Sequence, residues 1–408
     1  MIDYDNRSLR HIFCYIFSFV SIVVSDDVFF FGTIKDGESL MALKYSIYLF
    51  LSLWFVFRQV KQKLDLNLIL ILIFIFSSLL ATQLVNNDFS FGYYYQFLIF
   101  LLAAFIVREC NFEVFLISAK KIIFWLGVLS LIIYFLNMGF SGFFDWAPVV
   151  VNRADVPVKN LYVGYVYVDE SIKRNSSIFR EPGVFAVYIF FALLVEIFIE
   201  KKLSLPRVFV FLCMMMTTYS TSGIICSFLL MFFSFKAIFS KTKYGVFVYL
   251  IITLALVSSL FVQDLNGAVF HKLQSDSDAY GSTISRTASL VVPFFISLSN
   301  PFFGVGLNEY SILFRSISQD IFGVYLNSDG QSTNTYMAIA ANYGWLLGML
   351  FFYLTYKISR RLTVDNVSAF YVSILFILIL SSQDLRYSLF VLSLLMFGCV
   401  RGNKVFYR

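Results

Sequence analysis

Charged side chains are scarce in this sequence. Asp, Glu, Lys and Arg together make up 14% of its 408 residues, whereas soluble domains average roughly a quarter. Hydrophobic residues reach 59%, the mean hydropathy is +0.80, and long apolar runs recur from one end of the chain to the other. This composition excludes a soluble enzyme and predicts an all-α, polytopic integral membrane protein.

Cysteine and histidine are also few, with five Cys and two His. The number of cysteines is odd, and no pair has the spacing of metal ligands. No Ser or Cys has an evident His partner for a catalytic triad. We therefore expect no disulfide, no metal site and no cofactor.

About twelve apolar segments come close to the roughly 20 residues that a helix needs to cross a bilayer. The seventh and eighth are divided only by residues 221–223, so they could also form one bent helix. The predicted helices cover residues 11–25, 41–57, 67–85, 91–107, 122–140, 183–199, 206–220, 222–238, 244–263, 335–356, 366–381 and 386–400.

Basic residues fall mainly in alternate connections between these helices. Cytoplasmic connections of membrane proteins collect Lys and Arg, so the asymmetry predicts cytoplasmic termini and separate crossings by the seventh and eighth helices. It also accounts for the net charge of +6 without a nucleic acid partner. The chain is then a single transmembrane domain, residues 1–408, with two long, partly helical outer loops at 141–182 and 264–334.

Two clusters of residues could carry chemistry in the outer loops. In the first, Arg174 and Arg180 precede Glu181 and Pro182 at the start of the sixth helix. This pattern is typical of an ordinary helix cap with interfacial arginines, but Arg is also the side chain best suited to hold phosphate oxygens.

In the second cluster, Arg286 begins an apolar stretch that is too short to span the membrane and contains a proline. We expect an interfacial or re-entrant helix that ends in a tight turn at Gly304 and Gly306. A dinucleotide loop would need a third glycine and a strand before it, so these glycines more simply let the backbone turn. Arg315 follows in the same loop, which is not basic overall.

Two pairs of acidic residues have spacings or positions found in glycosyltransferases. Asp276 and Asp278 have the spacing that holds a metal on a nucleotide-sugar, but that chemistry needs a soluble α/β domain that a loop cannot supply. Asp26 and Asp27 lie where transferases that use polyprenyl-phosphate sugars place an acidic catalytic residue, although a solvated helix end is the simpler interpretation. We expect Glu196 to extend to the membrane interface.

Residues 174–183 resemble the Wzy-type O-antigen polymerases and the related O-antigen ligases, which carry an Arg, a stretch of small residues and Phe, and then Glu-Pro-Gly at a helix start. Three further parts of the chain are similar to motifs of this family in the same order: the Ser-containing turn at 217–223, Arg286 with the turn at 301–307, and the Asn…Gly pattern formed by 334–336 and 342–344. Many relatives have Arg where this chain has Thr221. The ligases have His where it has Thr333, which favours a polymerase.

The resemblance implies a metal-independent glycosyl transfer at the periplasmic face of the bacterial inner membrane, with a glycan on undecaprenyl pyrophosphate as substrate. A chain-length regulator and a flippase are implied partners beside the membrane lipid. Whether the product is O-antigen, capsule or another polymer stays open. The implied catalytic residues are Arg174, Glu181 and Arg286, and the implied substrate-binding residues are Arg180, Arg315, Gly304, Gly306, Asn334 and Tyr336.

Glu181 would either deprotonate the acceptor hydroxyl or fix an arginine. Arg174 and Arg286 are expected to converge over one outer cavity, because a pyrophosphate needs more than one cation. Two other functions remain open: a flippase for lipid-linked oligosaccharides, and a transferase that acts through Asp26 and Asp27.

Cysteines introduced one at a time at Ser275 and Ser204 test the predicted topology. A thiol reagent that cannot cross the membrane should label position 275 in the second outer loop. It should not label position 204, which lies between the sixth and seventh predicted helices. Labelling of position 204 but not of position 275 would show that the predicted orientation is inverted.

Overall fold

The computed structural model describes residues 2–32, 38–59, 65–140, 142–151, 156–169, 174–200, 202–234, 280–328, 332–363 and 365–400. The chain forms two compact units, and α3 (Glu38–Gln59) begins in the first and continues in the second. The prediction of a single transmembrane domain therefore stays a prediction.

The first unit consists of helices and one small antiparallel sheet. A π-helical turn at Val195–Ile199 extends its helix α7. Beside the start of α3 it contains α1 (Ile2–Val23), α2 (Phe29–Gly32), α6 (Phe112–Gly139), β1 (Val149–Val151), β2 (Pro157–Asn160), β3 (Tyr165–Tyr167), α7 (Pro182–Leu194), α8 (Leu205–Thr217) and α9 (Thr221–Phe233).

The second unit contains helices and no strand among its described residues. Beside the end of α3 it contains α4 (Leu66–Asn86), α5 (Phe91–Glu109), α10 (Tyr280–Ser299), α11 (Leu307–Phe322), α12 (Thr335–Tyr343), α13 (Trp345–Leu362), α14 (Asn366–Leu380) and α15 (Leu389–Phe397).

Among the described residues, five helices are long and apolar enough to cross a membrane: Leu40–Phe57, Leu66–Asn86, Phe91–Glu109, Phe112–Gly139 and Pro182–Ile199. The chain is thus a mostly helical membrane protein, as predicted. The seventh and eighth predicted helices are separate, as α8 and α9, although each has only 13 residues. The ninth, at 244–263, lies outside the described residues, and the count of twelve crossings stays a prediction.

Helix α7 forms the core of the first unit. Every residue from Pro182 to Leu194 is buried, and α6, α8 and α9 pack against it. A helix that is apolar all round needs such a position. Pro182 is the first helical residue, as predicted, because its fixed φ and missing N–H suit that site.

The first outer loop is not helical in its described part, contrary to our expectation. It contains the antiparallel sheet β1-β2-β3, in which Val150 lies opposite Val158 and Lys159 opposite Val166. Its β-branched and aromatic residues suit strands better than helices. The ring of Phe29 packs against Tyr165 with a centroid distance of 4.5 Å, so the sheet is attached to α2.

A buried network of charges joins α6 to α7 and α8. The carboxylate of Glu196 is 0% exposed, its Oε2 lies 2.8 Å from Lys120 Nζ, and its Oε1 lies 3.2 Å from Arg207 Nη2. Lys120 also pairs with Glu200. The expectation that Glu196 extends to the interface is therefore wrong, because a lysine from a neighbouring helix balances its charge inside the unit.

The predicted helix at 335–356 is two helices in the structure. Gly344 has φ +87° and separates α12 from α13, and a Cβ at this position would lie 2.1 Å from the carbonyl oxygen of Phe302. The break thus results from close contact with the turn after α10. Helix α10 itself contains Pro293 and ends before that turn, as predicted.

Lys120→Ala should destabilise the first unit, because the charge of Glu196 would stay buried with less compensation. A broken buried pair costs about 3 kcal/mol. Lys121→Ala is the matched control, since the neighbouring Lys121 is exposed on the same helix. Thermal melting of the purified protein in detergent should show a clearly lower melting temperature for Lys120→Ala but not for Lys121→Ala. Equal melting temperatures for the two variants would contradict a stabilising network.

Candidate functional site

Arg174 and Asn175 bind the turn between α8 and α9. Arg174 Nε donates a hydrogen bond to the carbonyl oxygen of Thr218 at 3.2 Å. The backbone N–H of Asn175 donates to the carbonyl of Thr217 at 2.9 Å, and its amide donates to the hydroxyls of Thr217 and Ser130. Two segments that the sequence resemblance singles out, 174–183 and 217–223, are therefore in direct contact.

The guanidinium of Arg174 borders a small pocket. Ser130, Asn137 and Tyr134 of α6 line one side and Tyr165 of β3 lines another. The other nitrogens of Arg174 make no hydrogen bond or ion pair with the described residues, so they are open to a ligand. The cavity volume of about 20 Å³ holds a water or two, and a phosphate group would require it to widen.

Glu181 precedes α7 directly and is partly exposed. Its carboxylate does not cap the helix, and within the described parts of the chain it has no hydrogen bond and no salt bridge. Glu181 is therefore an available acceptor for a proton, and no described arginine holds it.

Tyr165 connects the sheet to the segment before α7. Its hydroxyl donates to the carbonyl oxygen of Arg180 at 3.0 Å. Burial raises the pKa of Tyr165 well above its ordinary value, and the nearby Tyr167 and Glu181 add to this shift. The phenol therefore stays neutral and remains a hydrogen-bond donor.

Asp26 and Asp27 have protein partners, so the interpretation as a solvated helix end is wrong. The carboxylate of Asp26 lies 2.5 Å from Lys44 Nζ. Asp27 is 1% exposed and accepts a hydrogen bond of 2.5 Å from the hydroxyl of Tyr188. Its carbonyl oxygen accepts from the backbone N–H of Arg180 at 2.8 Å. These contacts attach the end of α1 to the Arg180 segment.

In the second unit, the half-buried Arg286 lies on α10 near the segment before α12. Ser289, three residues later, accepts hydrogen bonds from the backbone N–H of Thr333 at 3.0 Å and from its hydroxyl at 3.2 Å. Arg174 belongs to the other unit. The shared cavity of Arg174 and Arg286 therefore stays a prediction.

Asn334 and Tyr336 have local structural roles. The side chain of Asn334 caps α12 by accepting from Met337 N at 3.1 Å. The buried Tyr336 stacks on Phe352, and its hydroxyl lies 2.7 Å from that of Thr355. This packing accounts for both residues without a substrate, and their substrate-binding role stays a prediction.

Gly304 and Gly306 form a turn that packs on the end of α12. Their φ angles are +65° and +83°, and a Cβ on Gly304 would lie 2.4 Å from the carbonyl carbon of Asn342. The N–H of Gly306 donates to that carbonyl at 3.1 Å. Only glycine fits this backbone, so the turn explains both residues. Arg315 is exposed on α11 and lies over the ring of Tyr325.

Asp88, which sequence reasoning missed, holds the N-terminus of α11. Its Oδ2 accepts from the backbone N–H groups of Leu307 and Asn308 at 2.8 and 3.0 Å. Burial disfavours the charged carboxylate, but the hydrogen bonds from Ser90, Asn308 and Leu307 outweigh it and lower the pKa of Asp88. The residue is distant in sequence from α11, so no local cap signal could have revealed it.

Comparison with known proteins relates the second half of the chain to one family. Residues 207–352 match the family model described as O-Antigen ligase. The match contains Arg286, Gly304, Gly306, Asn334 and Tyr336, covers less than half of the chain, and begins after Arg174 and Glu181. No curated protein and no solved structure matches. The match supports a relation to the O-antigen ligase and polymerase family and an enzymatic role in surface polysaccharide assembly.

Asp88→Asn should destabilise the protein by about 1–2 kcal/mol, because the amide loses charge-assisted bonds to the α11 N-terminus. Since the folded pKa of Asp88 is lowered, its contribution is present above the ordinary pKa near 4 and is lost as pH falls through the folded value. Melting temperatures of wild type and variant should therefore converge at low pH. The exposed Asp320→Asn on α11 is the control, and a constant difference at all pH values would contradict the assignment.

Proposed function

We propose that the protein polymerises glycan repeat units carried on undecaprenyl pyrophosphate at the periplasmic face of the bacterial inner membrane. The acceptor hydroxyl attacks the anomeric carbon of the donor glycan. The bond from that carbon to the pyrophosphate oxygen breaks, and the lipid pyrophosphate leaves with the electron pair. The acceptor proton passes to a base.

The open guanidinium of Arg174 carries this proposal. Its Nε is bonded to Thr218, its other nitrogens make no hydrogen bond with the described residues, and the residue lines the pocket beside α6 and β3. A guanidinium placed in this way can bind the charge that develops on a departing pyrophosphate without a metal ion. Arg286 is proposed to supply a second cation, since the leaving group carries more than one negative charge.

Glu181 is proposed as the general base. Its carboxylate is partly exposed and is not consumed by an ion pair among the described side chains. This supports proton transfer over the alternative of fixing an arginine.

Two observations favour a polymerase over related functions. Thr333 stands where the ligases carry His, and it is bonded to Ser289. Asp26 and Asp27 are already held by Lys44 and Tyr188, which weakens the transferase that would act through them. A flippase for lipid-linked oligosaccharides is the remaining alternative, and the buried charges around Glu196 are compatible with it. The proposed partners are a separate flippase and a chain-length regulator.

The purified protein should convert lipid-linked repeat units into longer chains in the presence of a metal chelator. Arg174→Ala should lower the rate by roughly a hundredfold, and Arg174→Lys should lower it less because it keeps the charge but loses the planar fork. Arg315→Ala and Arg286→Ala are measured in parallel for substrate affinity and rate. The chain length of the product is measured on gels for wild type and each variant. The amount of folded protein is measured in parallel so that a loss of rate can be told from a loss of fold.

A second acceptor separates the alternatives in the same assay. Transfer to a lipid A–core acceptor, with no lengthening of the lipid-linked chain, would indicate a ligase. Transport of the lipid-linked unit between leaflets of a vesicle without any transfer would indicate a flippase. Normal elongation by folded Arg174→Ala would remove this arginine from the site.

A further inference from the structure

The connection between α14 and α15 carries a rigidly held arginine, Arg386. Its carbonyl oxygen accepts a hydrogen bond of 2.8 Å from Gln96 Nε2 on α5. Thr335, at the start of α12, donates from its hydroxyl to the carbonyl of Gln383 at 2.6 Å and accepts from the N–H of Leu385 at 2.9 Å. The backbone around Arg386 is thus attached to two helices of its unit.

The guanidinium of Arg386 is incompletely satisfied. The side chain is 12% exposed and its Nε lies 3.2 Å from Asp384 Oδ2. Nε and Nη1 are both buried and make no hydrogen bond with any described residue, so Asp384 balances the charge without accepting from Nε, and the buried Oε1 of Gln96 also lacks a partner there. Buried N–H groups of a charged side chain are costly without an acceptor. The N–H groups of Nη1 therefore lack an acceptor, and an anion bound beside Nη1 would supply one.

The groups around Arg386 suit an anion that comes from outside the chain. Burial disfavours the charged guanidinium, but Asp384 and the phenols of Tyr387, Tyr343 and Tyr310 outweigh it and raise the pKa of Arg386. Asp384 is the one carboxylate among these four groups, and it lies on the Nε side. The planar guanidinium can accept a second anion on its other edge.

Arg386 and Arg286 contact the same short segment of backbone through their neighbours. Thr333 bonds to Ser289, three residues after Arg286, and Thr335 holds the connection that carries Arg386. The elements that carry these two arginines of the second unit are thus both hydrogen-bonded to residues 333–335.

We propose that Arg386 is a phosphate-binding residue whose Nη1 edge takes a phosphate oxygen. The inference rests on the proposed function for its source, the pyrophosphate of a lipid-linked glycan. A phospholipid headgroup is the other source of the same chemistry. Asp384 balances the charge beside Nε and leaves the buried Nη1 without an acceptor.

Binding of farnesyl pyrophosphate to the full-length protein in phosphatidylcholine nanodiscs tests the proposal, with farnesol as the phosphate-free reference. Arg386→Ala should weaken binding of the pyrophosphate by about tenfold or more and leave farnesol unaffected. Arg386→Lys should fall between wild type and Arg386→Ala. Arg360→Ala, an arginine at the end of α13 in the same unit, is the matched control and should bind as wild type does.

Asp384→Asn distinguishes a binding site from a structural ion pair. Removal of the competing carboxylate should leave affinity for the pyrophosphate unchanged or higher, whereas Arg386→Ala lowers it. If Asp384→Asn weakens binding as much as Arg386→Ala does, or if every folded variant binds equally, the proposal is overturned. Melting temperatures identify the folded fraction of each variant.

Nanodiscs that contain phosphatidylglycerol separate the two sources of phosphate. Competition by this lipid that disappears in Arg386→Ala would assign the site to a headgroup and overturn a lipid-linked glycan as its source. If the wild type binds the pyrophosphate through Arg386 but does not lengthen chains, the proposed function fails and the binding site stands.

Discussion

Backbone groups in the non-helical segments of this chain need hydrogen-bond partners, and a lipid environment cannot supply them. The structure meets this constraint by pairing irregular segments with each other inside each unit. In the first unit, the segment at 174–177 bonds to the turn at 217–218. In the second, the turn at 300–306 bonds to residues 341–345 at the break between α12 and α13. The segments that resemble the family motifs are these paired segments.

This pairing gives the motifs of the two units different roles. Around Gly304 and Gly306 the contacts are from backbone to backbone, and Thr82 and Asn86 of α4 add hydrogen bonds to the carbonyls of Phe303 and Gly304. That arrangement accounts for the backbone conformation of the turn, and a substrate-binding role for Gly304 and Gly306 stays a prediction. Around Arg174 the contact uses only Nε, so the side chain that bonds this backbone turn also lines a small cavity. The candidate catalytic side chains Arg174 and Glu181 therefore lie beside paired irregular segments.

Charge inside the units follows the same rule of local compensation. The carboxylates of Asp27, Asp88 and Glu196 are all buried, and each has a donor from a distant part of the chain. Such pairs fix the packing of segments that apolar contacts alone leave free to slide. Arg174, Glu181 and Arg386 are candidates for ligand binding because part of each polar group lacks a hydrogen-bond partner among the described residues.

Composition and hydropathy determined the class of the protein, the positions of most helices and the start of α7 at Pro182, because these depend on local apolar runs and on the fixed φ of proline. The ordered motifs around Arg174, Arg286 and Asn334 pointed to the family that the match at 207–352 supports. The sheet β1-β2-β3, the break at Gly344 and the partners of Asp88 and Glu196 were decided by the tertiary structure alone. Each depends on a contact between residues far apart in sequence, and no local pattern encodes which donor will meet which buried acceptor.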